Sequence, residues 1–214
     1  RDSYLHRMKV ILERKSKNNI LLVGSAGVGK TALVEGLCYE LINDGSSYEV
    51  ISVNVSSLIA NTKYRGDFEA RINKVLDEVL NSSNKILFID EINCVSETLA
   101  PTMLQFLQCK SFGNQQIPEG WIIVAAGNPP EYNKSVREFD VVTLDRVKKI
   151  EVEPNFAVWK EYAYAVGVHG AIISYLELKK ENFYQMETRV DGKRFATARG
   201  WQDLSELLTV YEKL

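Results

Sequence analysis

The sequence predicts an α/β fold: a doubly wound, parallel, five-stranded sheet followed by a small, mostly helical C-terminal lid. Short continuous apolar runs, such as 86–89 and 121–126, are typical of strands that are buried on both faces. Amphipathic helical patterns separate these runs, and strands that alternate with helices favour a parallel sheet. The sequence pattern changes at Pro154, which divides the chain into a core domain at 1–153 and a lid at 154–214.

Each core element follows from its own pattern. Alternation between two faces, one of which carries Ile51, Val53 and Val55, predicts the strand at 49–55. One apolar face that includes Phe68 and Ile72 predicts the helix at 67–80. In chain order we predict a helix at 4–15, a strand at 20–23, a helix at 31–43, a strand at 49–55, a helix at 67–80, a strand at 86–89, a helix at 96–108 and strands at 121–126 and 146–152.

The lid is predicted to contain three helices and one hairpin. The helices span about 155–166, 169–178 and 200–213. The hairpin lies near 188–197, because Asp191-Gly192 is a dipeptide that is typical of tight turns.

Composition excludes several classes of protein. Hydrophobic residues make up 45% of the 214 residues and charged residues 25%, which is ordinary for a globular protein. The net charge of −2 provides no global basic field and argues against nucleic acid as a partner. No apolar run approaches the roughly 20 residues of a membrane span, and no signal peptide is evident. Because the first residue is not Met, we expect the chain to be a fragment or a trimmed form of a longer protein.

Cysteine and histidine content gives no metal site and no disulfide framework. Cys38, Cys94 and Cys109 are widely spaced and odd in number, which suits a reducing cytosol, and we therefore expect a cytoplasmic protein. His6 and His169 have no matching ligand cluster, so we interpret both as surface or structural residues.

The chain is organised around a phosphate-binding motif, the P-loop at 24–31, which fits G-x-x-x-x-G-K-[ST]. Its context is a strand before it and a helix after it. Glycines let backbone N–H groups face phosphate oxygens, and the helix N-terminus favours an anion. Lys30 is predicted to reach the β- and γ-phosphates of ATP, and Thr31 to hold Mg²⁺. The predicted nucleotide-binding residues are Gly24, Ser25, Ala26, Gly27, Val28, Gly29, Lys30, Thr31 and Ala32.

Two further motifs follow apolar strands. Asp90 and Glu91 end the strand at 86–89; we expect Asp90 in the Mg²⁺ shell and Glu91 as the base that activates water. The alternative is ordinary surface charge. Asn128 ends the strand at 121–126 and is predicted to hydrogen-bond the γ-phosphate or the water, since ligands bind beyond the carboxyl ends of such strands. Its alternative role is to form a turn before Pro129.

Five features occur along the chain in this order: the P-loop, the two acids, Asn128, a later arginine and a helical lid. Together they resemble the AAA+ ATPases over essentially the whole chain. Residues 17–68 are similar to the first ATPase module of Clp-type unfoldases, including Lys63-Tyr64-Arg65-Gly66-Asp67-Phe68-Glu69. From Asp90-Glu91-Ile92-Asn93 onward, the chain resembles the MoxR group. The resemblance as a whole therefore implies a MoxR-like AAA+ ATPase with Clp-type features in its N-terminal half.

The resemblance also assigns roles to individual residues. Asn128 matches sensor 1, and Arg199 matches sensor 2 at the start of a lid helix. Arg146 matches the arginine finger, which reaches the nucleotide of a neighbouring subunit; its alternative is a salt bridge to Asp145 or Asp140, and Arg137 is the second candidate.

The implied function is a ring ATPase, a homohexamer, that hydrolyses ATP to remodel or assemble protein partners. Tyr64 matches an aromatic residue that grips polypeptide in a pore loop, or alternatively packs at the start of the helix at 67–80. By resemblance to the MoxR group, the partner would be a protein with a von Willebrand A domain or a metal centre under assembly. The alternatives are a nucleic-acid-directed motor or loader, a Clp-type unfoldase module and a nucleotide-binding switch.

Overall fold

The computed structural model describes residues 2–14, 16–46, 48–59, 65–79, 85–95, 99–112, 115–129, 145–189 and 192–213. The chain forms two compact units. The first comprises Arg1–Gly24 with Lys30–Glu151, and the second comprises Ser25–Gly29 with Val152–Leu214. The predicted boundary at residue 153 stays a prediction.

A five-stranded, all-parallel sheet forms the centre of the first unit and confirms the predicted fold class. Its strands lie in the order β2-β3-β6-β1-β7. They are β1 (Ile20–Val23), β2 (Glu49–Asn54), β3 (Lys85–Asp90), β6 (Ile122–Gly127) and β7 (Lys148–Glu151). Every residue of β6 is buried, as the continuous apolar run predicts for a central parallel strand.

Five helices of the first unit lie within its described residues, together with a two-stranded antiparallel ribbon. The helices are α1 (Asp2–Leu12), α2 (Lys30–Asn43), α3 (Val55–Ile59), α4 (Arg65–Val79) and α5 (Ala100–Cys109), and the ribbon joins β4 (Ser111–Phe112) to β5 (Gln115–Gln116). Pro101 lies in the first turn of α5, where its missing N–H has no helical partner to lose. Helix α3 and the ribbon were not predicted, because elements of two to five residues are too short to show periodicity.

The larger hydrophobic core lies between the sheet and α3, α4 and α5. Phe68 and Trp121 are completely buried in it, and Leu87 and Ile89 of β3 face the same cluster. Burial of this apolar surface holds α4 and α5 against the sheet, since each fully buried large side chain contributes about 1.5–3 kcal/mol.

A buried asparagine fixes the amino end of β6. The side chain of Asn19 donates to the carbonyl of Leu107 (3.0 Å) and accepts from the N–H of Ile123 (3.2 Å). It is only 5% exposed. A single amide therefore satisfies one backbone group at the end of α5 and one in β6, both away from water.

The described residues of the second unit form three helices, a short 3₁₀ turn and a hairpin. The helices are α6 (Phe156–Val166), α7 (Gly170–Leu178) and α8 (Ala198–Tyr211); the 3₁₀ turn is Lys180–Asn182, and the hairpin pairs β8 (Gln185–Arg189) with β9 (Gly192–Ala196). Asn155 caps α6 by accepting from the N–H of Val158, and Gly167 ends it with φ 75°. Trp159 and Phe183 pack together in the small core of this unit. The hairpin begins three residues before its predicted start.

None of the helices in the described parts of the chain combines the length and the apolar character that crossing a membrane requires.

We predict that Asn19→Leu lowers the free energy of unfolding by about 2–4 kcal/mol. The substitution keeps the side-chain volume but leaves a buried carbonyl and a buried N–H without their partner, at about 1–3 kcal/mol each. Urea denaturation of the purified protein measures the change. Asn43→Ala, at an exposed position, is the control and should stay within about 0.5 kcal/mol of wild type. Equal stability of the two variants would contradict the prediction.

Candidate active site

Parallel pairing brings the predicted site segments together at one edge of the sheet. Strand β6 lies between β3 and β1, and its pairing with β1 runs up to Val23 and Gly127. The P-loop follows β1, the acidic pair ends β3, and Asn128 follows β6. Because carboxyl ends of parallel strands meet at the same edge, these three segments are neighbours.

The backbone of the P-loop has the shape that phosphate binding requires. Gly27 and Gly29 have φ values of 75° and 93°, which glycine adopts without strain. The loop leads directly into α2, whose first residue is Lys30. The positive end of the helix dipole therefore lies at the end of the loop, where it favours an anion.

Contacts within the second unit also involve loop residues. Tyr184 donates its hydroxyl hydrogen to the carbonyl of Ala26 (3.1 Å). A Cβ atom on Gly27 would lie 3.0 Å from the Cβ of Thr197, the residue that caps α8. Glycine at position 27 is thus required both by its φ and by the space around it.

The side chain of Lys30 is folded back onto the site. It is 9% exposed, and its Nζ donates to the carbonyl of Gly24 (2.7 Å) and to Oδ1 of Asn128 (2.8 Å). The structure therefore brings two of the predicted site residues, Lys30 and Asn128, into direct contact.

The backbone of Asn128 is held by a second asparagine. Asn93 Nδ2 donates to the carbonyl of Asn128 (2.7 Å), and the N–H of Asn128 donates to Asn93 Oδ1 (3.1 Å). Asn128 Nδ2 in turn lies 3.8 Å from the sulfur of Cys94. Burial raises the pKa of the Cys94 thiol, and the charge of Glu91 raises it further.

The acidic pair begins a tight turn after β3. Glu91 has φ 58°, which is the left-handed region, and its N–H donates to Oδ1 of Asp90 (3.0 Å). Its carboxylate accepts a hydrogen bond of 2.5 Å from the hydroxyl of Ser56. Ser56 lies in the first turn of α3, directly after β2, the strand that pairs with β3. The carboxylate of Glu91 is therefore held by a residue that follows the end of the neighbouring strand.

These residues fit ATP with Mg²⁺. The loop presents backbone N–H groups and an ammonium group to phosphates, and Thr31 and Asp90 supply the hydroxyl and the carboxylate that a P-loop Mg²⁺ site uses. No cluster of three or more His, Cys, Asp or Glu that could hold a metal occurs within the described residues. A single carboxylate is typical of Mg²⁺ that is bound together with substrate phosphates.

Arg146 lies at the opposite edge of the sheet. It precedes Lys148, which pairs with Ile20 at the amino end of β1, whereas the P-loop follows the carboxyl end of β1. Its Nη1 donates to Oε1 of Gln108 (3.0 Å). Asp145, offered above as a salt-bridge partner of Arg146, hydrogen-bonds Lys17 instead, and this contact lowers the pKa of Asp145.

The remaining predicted residues lie either in the second unit or outside the described residues. Arg199 is exposed in the first turn of α8, in the second unit, and makes no hydrogen bond or ion pair with the part of the chain that the structure describes. Tyr64, Arg137 and Asp140 lie outside the described residues.

The sequence analysis assigned no role to Ser56, Asn93 or Cys94, which all contact predicted site residues. Ser56 is an ordinary polar residue after a strand, and no local pattern relates it to Glu91. Asn93 belongs to a motif that resembles the MoxR group. Its proximity to the acidic pair in the sequence was the one signal that indicated a role in the site.

A family model described as "ATPase family associated with various cellular activities (AAA)" matches residues 20–145, more than half of the chain. The chain belongs to this AAA family. It is therefore an ATPase domain that binds nucleotide, and the AAA+ prediction is confirmed.

Clp-type chaperones are among its relatives. The chain is 38% identical over 160 residues to the chaperone protein ClpB of Mycoplasmoides gallisepticum, covering 72% of this chain and 22% of that protein. It is 48% identical over 100 residues to ClpB of Wolinella succinogenes, covering 44% of this chain and 12% of that protein. The Clp-type resemblance is thus confirmed, and the MoxR-like interpretation stays a prediction.

Solved structures of similar fold include Hsp104. The Saccharomyces cerevisiae Hsp104–ADP complex matches 85% of this chain and 28% of that chain, at 28% identity and a TM-score of 0.61. A closed-state reconstruction of Hsp104 with ATPγS and FITC-casein matches at the same identity and TM-score, over 34% of that chain. The present chain thus spans about a third or less of the proteins it resembles.

We predict that Lys30 and Glu91 separate nucleotide binding from hydrolysis. Lys30→Ala should abolish ATP binding, because it removes the ammonium group next to the phosphate loop. Glu91→Gln should bind ATP as wild type does but lose turnover by about 10²-fold or more, because an amide cannot accept the proton of water. Calorimetry with ATP and phosphate release measure the two steps. Undiminished turnover in Glu91→Gln would remove Glu91 from its assigned role.

Proposed function

We propose that this chain is the ATPase module of a Clp-type ring machine, a homohexamer that uses ATP hydrolysis to remodel protein clients. The observation that carries the proposal is the assembled group of Lys30, Asn128 and Glu91 on a chain that is similar to ClpB and Hsp104. One of the similar Hsp104 structures is a reconstruction with ATPγS, an ATP analogue, and FITC-casein, a protein.

In the proposed reaction, the side chains of this site act on ATP and one water molecule. The ammonium group of Lys30 binds the β- and γ-phosphates, and the amide of Asn128 orients the γ-phosphate or the water. The oxygen of the water forms a bond to the γ-phosphorus while Glu91 accepts a proton from the water. The bond between the γ-phosphorus and the bridging oxygen breaks, and ADP leaves with that oxygen. Mg²⁺, held by Thr31 and Asp90, would neutralise charge on the phosphates.

The position of Arg146 supports a ring. Lys148 and Glu151 pair with the first and last residues of β1, so Arg146 lies more than about 10 Å along the strand direction from the start of the P-loop in its own chain. A finger at that edge serves the nucleotide of a neighbouring copy. Arg146 is exposed, and the hydrogen bond of its guanidinium within the described residues goes to the neutral Gln108.

The roles of Tyr64 and Arg199 belong to this proposal. An aromatic residue at position 64 would grip polypeptide in the pore of the ring, with little side-chain entropy to lose. Arg199, exposed in the first turn of α8, would sense the γ-phosphate from the lid. A positive charge in that turn opposes the helix dipole, which favours a role in binding an anion.

Cellular location and client class follow from the same resemblance. The three cysteines are unpaired thiols, which supports a reducing cytoplasm. A von Willebrand A domain client would accompany the MoxR-like interpretation, and a polypeptide client the Clp-type one. The similarity to ClpB and Hsp104 favours the Clp-type interpretation and a polypeptide client. A nucleic-acid client finds no support in a net charge of −2.

We predict that the arginine finger acts between subunits. Arg146→Ala should lower turnover by about 10³-fold, since an arginine finger contributes about 10³–10⁵ in rate. Mixing Arg146→Ala with Lys30→Ala should restore part of the activity, because mixed interfaces join an intact P-loop to an intact finger. Phosphate release measures the recovery. The control is the double variant of Arg146→Ala and Lys30→Ala, which should restore no activity when it takes the place of Lys30→Ala in the mixture. Full activity of the Arg146→Ala oligomer would place the finger elsewhere.

We predict that unfolded polypeptide stimulates ATP turnover and that DNA does not. Tyr64→Ala should keep basal turnover but lose stimulation by casein, because the grip on the client is lost while the site is untouched. Tyr64→Phe is the control and should retain stimulation. Phosphate release with and without casein or DNA measures the effect. Stimulation by DNA alone would overturn the proposed client class.

A further inference from the structure

We propose that Asn93 is the positioning residue that holds Asn128 at the reaction centre and couples it to the turn that carries Glu91. The inference rests on the proposed function, in which Asn128 and Glu91 act on the γ-phosphate and the attacking water. Asn93 touches neither substrate nor water in this scheme; it acts through Asn128.

The register of the sheet explains why Asn128 needs a partner. Pairing of β6 with β1 ends at Gly127, and pairing with β3 ends at Ala125. Asn128 therefore lies beyond the ladder on both sides. Asn93 supplies the missing bonds with one amide, which donates to the carbonyl of Asn128 (2.7 Å) and accepts from its N–H (3.1 Å).

The same turn carries Glu91. Cys94 donates its N–H to the carbonyl of Glu91 (2.9 Å), and the N–H of Ile92 donates to the carbonyl of Ala126 (3.0 Å). The first bond closes the turn itself, whereas the bond from Ile92 and the amide of Asn93 join the turn to the end of β6. The proposed base and the proposed sensor are linked through a path of a few bonds, which fixes their separation.

The side-chain amide of Asn128 is oriented by Lys30. The Nζ of Lys30 is an ammonium group and can only donate, so it selects the oxygen of the Asn128 amide (2.8 Å). The Nδ2 group consequently faces Cys94 (3.8 Å), a contact long enough to be exchanged for a better acceptor such as a phosphate oxygen. With backbone and amide both set, Asn128 needs no rearrangement when nucleotide binds.

Asn93 is buried, with 5% exposure, which also permits a purely structural role. Asn19 is a matched control for that alternative. It too is 5% exposed and bridges two buried backbone groups with one amide, but it lies at the amino end of β6, away from the P-loop edge.

The test compares Asn93→Leu and Asn93→Asp with Asn19→Leu in the purified protein, well below the unfolding temperature. Asn93→Leu removes both hydrogen bonds, and Asn93→Asp keeps the shape but turns a second oxygen toward the carbonyl of Asn128. We expect kcat to fall about 10- to 100-fold in both, because small displacements of a reacting geometry cost about that much. ATP affinity should change little, since Lys30 and the loop remain. Asn19→Leu should lose stability but retain kcat.

Cysteine alkylation supplies a readout that a general loss of structure would not reproduce. Release of Asn128 should change the iodoacetamide rate of Cys94 in Asn93→Leu, because its Nδ2 group no longer contacts the sulfur, while Cys38, which is also half-buried, keeps its wild-type rate. Acceleration of both thiols indicates general loosening and overturns the inference. Wild-type kcat in Asn93→Leu, or an equal loss in Asn19→Leu, overturns it as well. An inactive wild-type protein would instead contradict the proposed function.

Discussion

The site depends on the parallel pairing of β6 with β3 on one side and β1 on the other. This arrangement delivers the P-loop, the acidic pair and Asn128 to a single edge, although they are far apart along the chain. Since β6 is completely buried, its position is set by hydrophobic packing over its whole length. Asparagine side chains then hold it at both ends, Asn19 at the start and Asn93 just beyond the finish. The chemistry at the edge is thus anchored by a strand whose own side chains are all apolar, and Asn128 is the residue that directly follows it.

Much of this arrangement could be predicted from the sequence, because strands buried on both faces appear as continuous apolar runs and the P-loop has fixed spacing. The five strands and most of the helices follow from those signals. The direct hydrogen bond between Lys30 and Asn128 was not among the predictions. The hydrogen bonds of Asn93 and Ser56 could not be predicted, since each joins residues 35 positions apart and leaves no periodic trace. The short α3 helix and the β4–β5 ribbon escaped detection for a related reason: they contain too few residues for any period to repeat.

The two edges of the sheet divide the proposed reaction between copies of the chain. One edge carries the phosphate loop with the groups that would activate water, and the other carries Arg146 next to Gln108. Parallel strands all point the same way, so a group before β7 and a loop after β1 must lie at opposite ends. An assembly that completes each site from a neighbour makes hydrolysis conditional on contact between copies. In a machine of the Clp type, that condition would connect the state of one subunit to the turnover of the next.

The left-handed backbone at Glu91 has a consequence for how such a sequence could change. A φ of 58° costs an ordinary side chain about 1–2 kcal/mol relative to glycine, and asparagine tolerates it better than glutamate does. Selection for stability alone would therefore replace this residue with one that has no suitable carboxylate. If Glu91 is the base, as proposed, the chain accepts a less stable backbone here in exchange for that carboxylate, and a thermostable variant designed from general stability rules would lose activity first at this residue.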